Sequence, residues 1–113
     1  GHSMASLTLI LWRDIPAQVV VKRGRETAKA KLSARFEQAI DRAAMRAGKG
    51  SSDAYLAEWR RSDATPCSDD IEKEAAAEAA RIEAKYSDAD LERLIRAKGV
   101  DETRADPQPP SAN

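Results

Sequence analysis

Few residues of this 113-residue chain have the types and spacing that catalysis or metal binding requires. Nucleophile–base pairs and many metal centres are built around histidine, and the chain has one, His2. It lies in Gly1-His2-Ser3, which reads as an expression remnant ahead of Met4, so it is set aside. Without it no Ser-His-Asp triad, Cys-His pair or histidine metal site can form. The single cysteine, Cys67, can make neither an internal disulfide nor a zinc or iron–sulfur site within one chain, which fits a reducing compartment. Cys67 stands just ahead of a helix-starting pattern, where the helix dipole can lower a thiol pKa, so it is kept as a candidate contact. Asp69, Asp70 and Glu72 offer carboxylates to a hard cation, but acids are what any helix start attracts. Gly48-Lys49-Gly50-Ser51-Ser52 lacks the glycine spacing and the Lys-Ser/Thr pair of a phosphate loop, and no dinucleotide fingerprint occurs. The expectation is a chain with no cofactor, no metal and, on balance, no enzymatic activity.

What remains is the chemistry of contact. Trp12, Arg13 and Asp14 put an aromatic, a cation and a carboxylate in adjacent positions beside Pro16, a set that can bind a partner or lock a turn. Arg23 and Arg25 stand in the basic stretch 22–31, which suits an anion or a solvated connector. With Cys67, these are the candidate contact residues.

The elements that must position them follow from apolar patterning. Residues 7–12 and 19–21 are short apolar runs, the second purely β-branched, separated by a break at 13–16 that ends in Pro16. They predict an antiparallel hairpin, the only clear strand signal in the chain. Two strands alone are marginal in water, so helices or a second copy must cover them. Residues 22–31 read as a connector released by Gly24. Leu32, Phe36, Ile40, Ala43, Ala44 and Ala47 form one stripe of a helix capped at Ser33 and ending at Gly48, the natural cover for the hairpin. A second helix runs from Ser52 or Asp53 to about Ser62 on Tyr55, Leu56 and Trp59. Residues 62–69 read as a loop. Ser68 caps a third helix with a weak, mostly alanine stripe through Ile71, Ala75, Ala79, Ile82 and Tyr86, and Ser87 caps a short fourth one up to Lys98 and Gly99. The predicted class is α+β: an N-terminal hairpin packed on a main amphipathic helix plus two or three further helices. Residues 7–99 form one domain, residues 1–6 precede it, and 100–113 are a proline-rich disordered tail.

Formal net charge is zero, but it is divided unevenly. Residues 1–50 hold 10 Lys/Arg against 4 Asp/Glu, and residues 51–113 hold 9 against 15. The two halves can neutralise each other on folding, or the basic half can present a face to an anion. No nucleic-acid motif accompanies the charge, so nucleic acid is not the expected partner. No stretch has the length and apolarity of a bilayer span.

Three stretches carry a resemblance. Trp12-Arg13-Asp14-Ile15-Pro16-Ala17-Gln18-Val19, the run 35–45 (Arg35-Phe36-Glu37-Gln38-Ala39-Ile40-Asp41-Arg42-Ala43-Ala44-Met45) and the run 53–61 (Asp53-Ala54-Tyr55-Leu56-Ala57-Glu58-Trp59-Arg60-Arg61) together resemble a small bacterial family labelled "virulence factor". The family occurs mainly in proteobacteria and is related to a domain of a conserved staphylococcal virulence factor. The resemblance covers about residues 7–62 and brings no catalytic residues with it. It implies a non-enzymatic cytoplasmic accessory protein with a protein partner, and a homodimer through the hairpin edge is a further expectation. It also implies an alternative: a subunit or cofactor-binding helper of a folate- and corrinoid-dependent one-carbon methyl-transfer system, using Arg13, Arg23 and Arg25. A third reading is anion or nucleic-acid binding through the basic N-terminal half.

Overall fold

A computed structural model describes residues 5–49 and 51–101; the stretch read as an expression remnant and residues 102–113 of the tail expected over 100–113 lie outside the described residues, while the Val100 and Asp101 amides donate to the Ala97 carbonyl and the Asp14 carboxylate. The elements in chain order are β1 (Ala5–Trp12), β2 (Ile15–Arg23), β3 (Glu26–Lys31), α1 (Ala34–Arg46), α2 (Ser52–Ala57), β4 (Trp59–Arg61), β5 (Thr65–Cys67), α3 (Ile71–Lys85) and α4 (Asp88–Arg96). The α+β class stands, and the hairpin lies where the apolar runs place it.

The hairpin is not alone. Its strands are the centre of one antiparallel sheet of order β3-β2-β1-β4, with β5 pairing the other half of the β1 edge. The stretch 22–31, read as a connector, turns at Gly24 (φ +60°) and returns as β3. Its sequence alternates Thr27, Lys29 and Lys31 with Ala28 and Ala30, which is strand periodicity written in alanine, a residue strands otherwise disfavour. The second helix ends at Ala57, and Trp59–Arg61 pairs with β1 instead of continuing it. The stretch 62–69, read as a loop, contains β5. Both edges of the hairpin are therefore taken within the chain, and the edge on which a homodimer was expected is interior to the sheet.

Register divides the side chains between two faces. Leu7, Leu9 and Leu11 of β1 share a face with Val19, Val21, Ala28, Ala30 and Cys67, and α3 lies across it with Ala75 and Ile82 buried. The helix with the weak alanine stripe is thus the principal cover of the sheet, because small side chains on both surfaces let helix and strands approach. The stronger stripe of α1 packs chiefly on α4, with Phe36, Ile40 and Ala43 on one side and Leu91, Leu94 and Ile95 on the other, all buried. A bulge at Ala17 breaks the β1–β2 ladder between Ile10 and Leu11, and the Leu32 amide donates to the Ala17 carbonyl (3.0 Å).

Helix starts are secured from a distance as well as locally. Ser87 caps α4, as the sequence predicts, and with Asp90 it forms a reciprocal capping box. The cap of α3 is Asp70 rather than Ser68; the Ser68 amide donates instead to Glu74 (3.1 Å). Ser33 precedes α1, but its amide (2.6 Å) and hydroxyl (3.0 Å) both donate to Glu83 of α3, which also meets Arg35 at 3.1 Å. Burial acts to raise the Glu83 carboxyl, but the Ser33 and Arg35 donors outweigh it and hold it below the ordinary value.

A carboxyl lowered in the folded state stabilises above its unfolded pKa, about 4.3 for glutamate, and loses that contribution as pH falls through the folded value. Glu83→Gln should therefore cost about 1 kcal/mol at pH 7. The difference between variant and parent in urea denaturation should shrink when both are measured near pH 3.

Candidate functional site

The Trp12-Arg13-Asp14 turn is a fastening. Trp12 is fully buried, its indole N–H donates to the Tyr55 carbonyl (2.9 Å), and its ring stacks on Tyr55 at 6.0 Å. Arg13 adopts φ +53°, a left-handed conformation that a residue with a Cβ holds only under outside constraint. The constraint is visible. The Arg13 amide donates to the Glu58 carbonyl (3.1 Å), and its guanidinium donates to the Lys98 carbonyl (2.9 Å) and lies 3.3 Å from the Glu58 carboxylate, 5.3 Å over Trp12. That guanidinium, aided by Lys49, holds the Glu58 carboxyl below its usual range. The Asp14 amide donates to the Gly99 carbonyl (2.8 Å), while its carboxylate accepts from Arg60 (2.8 Å) and from the Asp101 amide (2.7 Å). One two-residue turn so ties α2, β4 and the exit of α4 to the hairpin.

The other candidates lie at the far end of β1, roughly 24 Å away by strand rise. Arg23 pairs with Glu26 (2.6 Å) and donates to the Asp69 carbonyl (3.1 Å). Arg25 is exposed in the β2–β3 turn. Cys67 sits on β5 opposite Ala5, on the α3 side of the sheet and ahead of the α3 cap rather than at it. Burial, with the Glu74 and Asp69 carboxylates, pushes the thiol up, opposite to the activation expected from a helix start. Arg13, Arg23 and Arg25 therefore do not converge on one site.

What sequence reasoning missed is the second face of the sheet. There Lys31 stands in register with Gln18, Ile10 and Arg61; Lys29 with Val20 and Thr8; and Thr27 with Lys22 and Ser6. Lys22, Lys29, Lys31 and Arg61 are all exposed, and among the described residues none of the four forms an ion pair. Among the described residues α3 covers the opposite face, yet Val20, between Thr8 and Lys29, is buried among its neighbours on this one; α1 and α2 meet this face at its turn end. Where they do, a pocket of about 380 Å³ opens between Ile10, Gln18 and Lys31 of the sheet and Ile40, Tyr55 and Trp59. Tyr55 sets its edge against Trp59 (5.8 Å), so a chain of rings runs from the buried Trp12 to the pocket wall. Burial, then the Asp41 and Glu37 carboxylates, raise the Tyr55 phenol, which stays protonated. The signal for this face was in the sequence as the alternation of Thr27, Lys29 and Lys31 with alanine.

Among the described residues no group of three or more His, Cys, Asp or Glu is placed to hold a metal ion, and no helix is long and apolar enough to cross a membrane. The family model described as "Virulence factor" matches residues 10–95, a span that includes the turn, the pocket and Arg61. Neither a curated protein nor a solved structure matches the chain.

Gly99 has φ +88°, and a Cβ there would lie 2.9 Å from the Trp12 ring. Gly99→Ala should destabilise the protein by about 1–3 kcal/mol in thermal or urea denaturation. The raised pKa of Cys67 leaves less thiolate at neutral pH than a free cysteine has, so iodoacetamide should alkylate the folded protein at pH 7 more slowly than it does free cysteine or the urea-unfolded chain.

Proposed function

The chain belongs to the virulence factor family, and from that premise we propose that it is a non-enzymatic accessory protein of the cytoplasm whose work is to hold an anionic partner against the open face of its sheet. The observation that carries this is the set of four exposed cations, Lys22, Lys29, Lys31 and Arg61, on one rigid face with no ion pair among the described residues. Like charges fixed on a sheet sum into a field that attracts and orients an anion, and a hydrogen-bonded ladder spares them the ordering that a flexible linker would require. Among the described residues, Arg13, Arg23, Arg35, Arg42, Lys49, Arg60, Arg81 and Arg93 each meet a carboxylate within the chain, while the other unpaired cations, Arg25, Arg46, Lys73, Lys85, Arg96 and Lys98, are spread over the β2–β3 turn and the helices rather than set side by side on one face.

A non-catalytic role is supported by where the shifted protonation states fall. Glu58, Glu74, Glu83 and Asp90 are lowered by caps and ion pairs spread over the molecule, and Tyr55 and Cys67 are raised by burial. They are spread over the molecule, whereas perturbed groups gathered in one cleft are the usual mark of a catalytic site. The free thiol supports a reducing compartment.

On a heparin column, a generic polyanion, Lys22→Glu with Lys29→Glu should elute at clearly lower salt than Arg46→Glu with Lys73→Glu, which makes the same charge change on α1 and α3. Equal shifts for the two pairs would mean that net charge alone governs retention, and the face would lose its role.

A further inference from the structure

Resting on the anionic-partner reading, we propose that the open face takes single-stranded nucleic acid, with one base seated in the pocket beside Trp59 and the backbone running over Lys31, Lys29 and Lys22. The pocket and the cations are continuous: Lys31 lines the pocket, and Lys29 follows it two positions away on the same face, about 7 Å along β3. Lys22 and Arg61 flank the path on β2 and β4.

The pocket is suited to a flat, partly polar ring. Tyr55 and Trp59 supply aromatic surface, Ile10 and Ile40 aliphatic surface, and the volume of about 380 Å³ accommodates one ring system rather than a folded element. Its polar groups discriminate further. Gln18 offers both a donor and an acceptor, and Glu37 offers a carboxylate that accepts from a base's exocyclic amine. A purely apolar anchor from an acidic protein would leave both groups desolvated and unpaired, and an acidic side chain entering the pocket would meet Glu37 with like charge. Phosphates outside the pocket meet the lysines. A duplex keeps its bases stacked and paired and has none to place in the pocket, so the single strand is the form that fits. The sequence carries no nucleic-acid motif because these residues come from four strands and two helices and meet only in the fold.

The experiment is fluorescence anisotropy of a labelled oligo(dC) with the full chain across a salt series. Saturable binding is expected, falling with salt. Lys29→Gln should lower the log–log salt slope by about 0.7, the increment for one phosphate contact on a single strand. Trp59→Ala should weaken binding about tenfold and Trp59→Phe should restore most of it; denaturation curves of both variants show whether the fold is kept. Glu37→Gln, on the helix surface, should narrow the preference for oligo(dC) over oligo(dT) without requiring any change in the core. Binding of duplex as tight as of single strand, an unchanged slope in Lys29→Gln, or stronger competition by poly-glutamate than by unlabelled oligo(dC) would each overturn the proposal. No oligonucleotide binding with heparin retention intact would defeat this proposal alone, whereas loss of the face-specific heparin effect would defeat the accessory reading with it.

Discussion

The contact between the Trp12 ring and Gly99 sets the arrangement of the whole chain. Trp12 is the largest fully buried side chain, and the last turn of the described chain closes directly on it. That closure needs a residue with no side chain at 99, a left-handed Arg13, and a carboxylate at Asp14 to receive the Asp101 amide and Arg60. Hairpin, α2–β4 and α4 are thereby fixed to one another at a single corner. The strain of a positive φ at Arg13 persists because five residues, Glu58, Arg60, Lys98, Gly99 and Asp101, hold that turn in place.

The corner also explains why the residues that look most chemical are not arranged as one reactive site. A cation and a carboxylate next to an aromatic invite a binding interpretation, yet each is engaged inside the chain. Arg23 is likewise spent on Glu26 and the Asp69 carbonyl. A concentrated set of unpaired charge lies where no catalytic pattern would direct attention, on Lys22, Arg61 and the ordinary lysines that alternate with alanine along β3. The two faces and ends of one small sheet are thus treated differently: α3 seals one face, the Trp12–Asp14 fastening secures the turn end, and the cations of the other face point to water.

Legibility followed the strength of side-chain signals. The β-branched run of β2, the stripe of α1 and the Ser87 cap of α4 are strong local signals, and they lie where the sequence places them. β3, β4 and β5 were missed because their pairing energy comes from neighbours far along the chain; three residues of β4 carry no period of their own. The weight given to α1 over α3 as cover for the sheet failed for a related reason: apolar strength in a stripe does not reveal how closely two surfaces approach, and alanine against alanine approaches closest. The open face and its pocket needed the register of four strands before their residues had a common side.

The bulge at Ala17 gives β2 two different parities. Before it, odd-numbered Ile15 shares the side of Trp12; after it, the even-numbered Gln18, Val20 and Lys22 do. One strand thus carries two phases, one addressed to the clamp and one to the ladder, joined by a residue that belongs to neither. Had the alternation run on unbroken, Val19 and Val21 would point to the open side and Gln18 and Lys22 into α3. A single skipped position is what sets Val19 and Val21 against α3 and Lys22 in water, with Val20 buried on the other side among its cross-strand neighbours, so the distinction between an inside and an outside of this sheet resides in the spacing of the chain as much as in its composition.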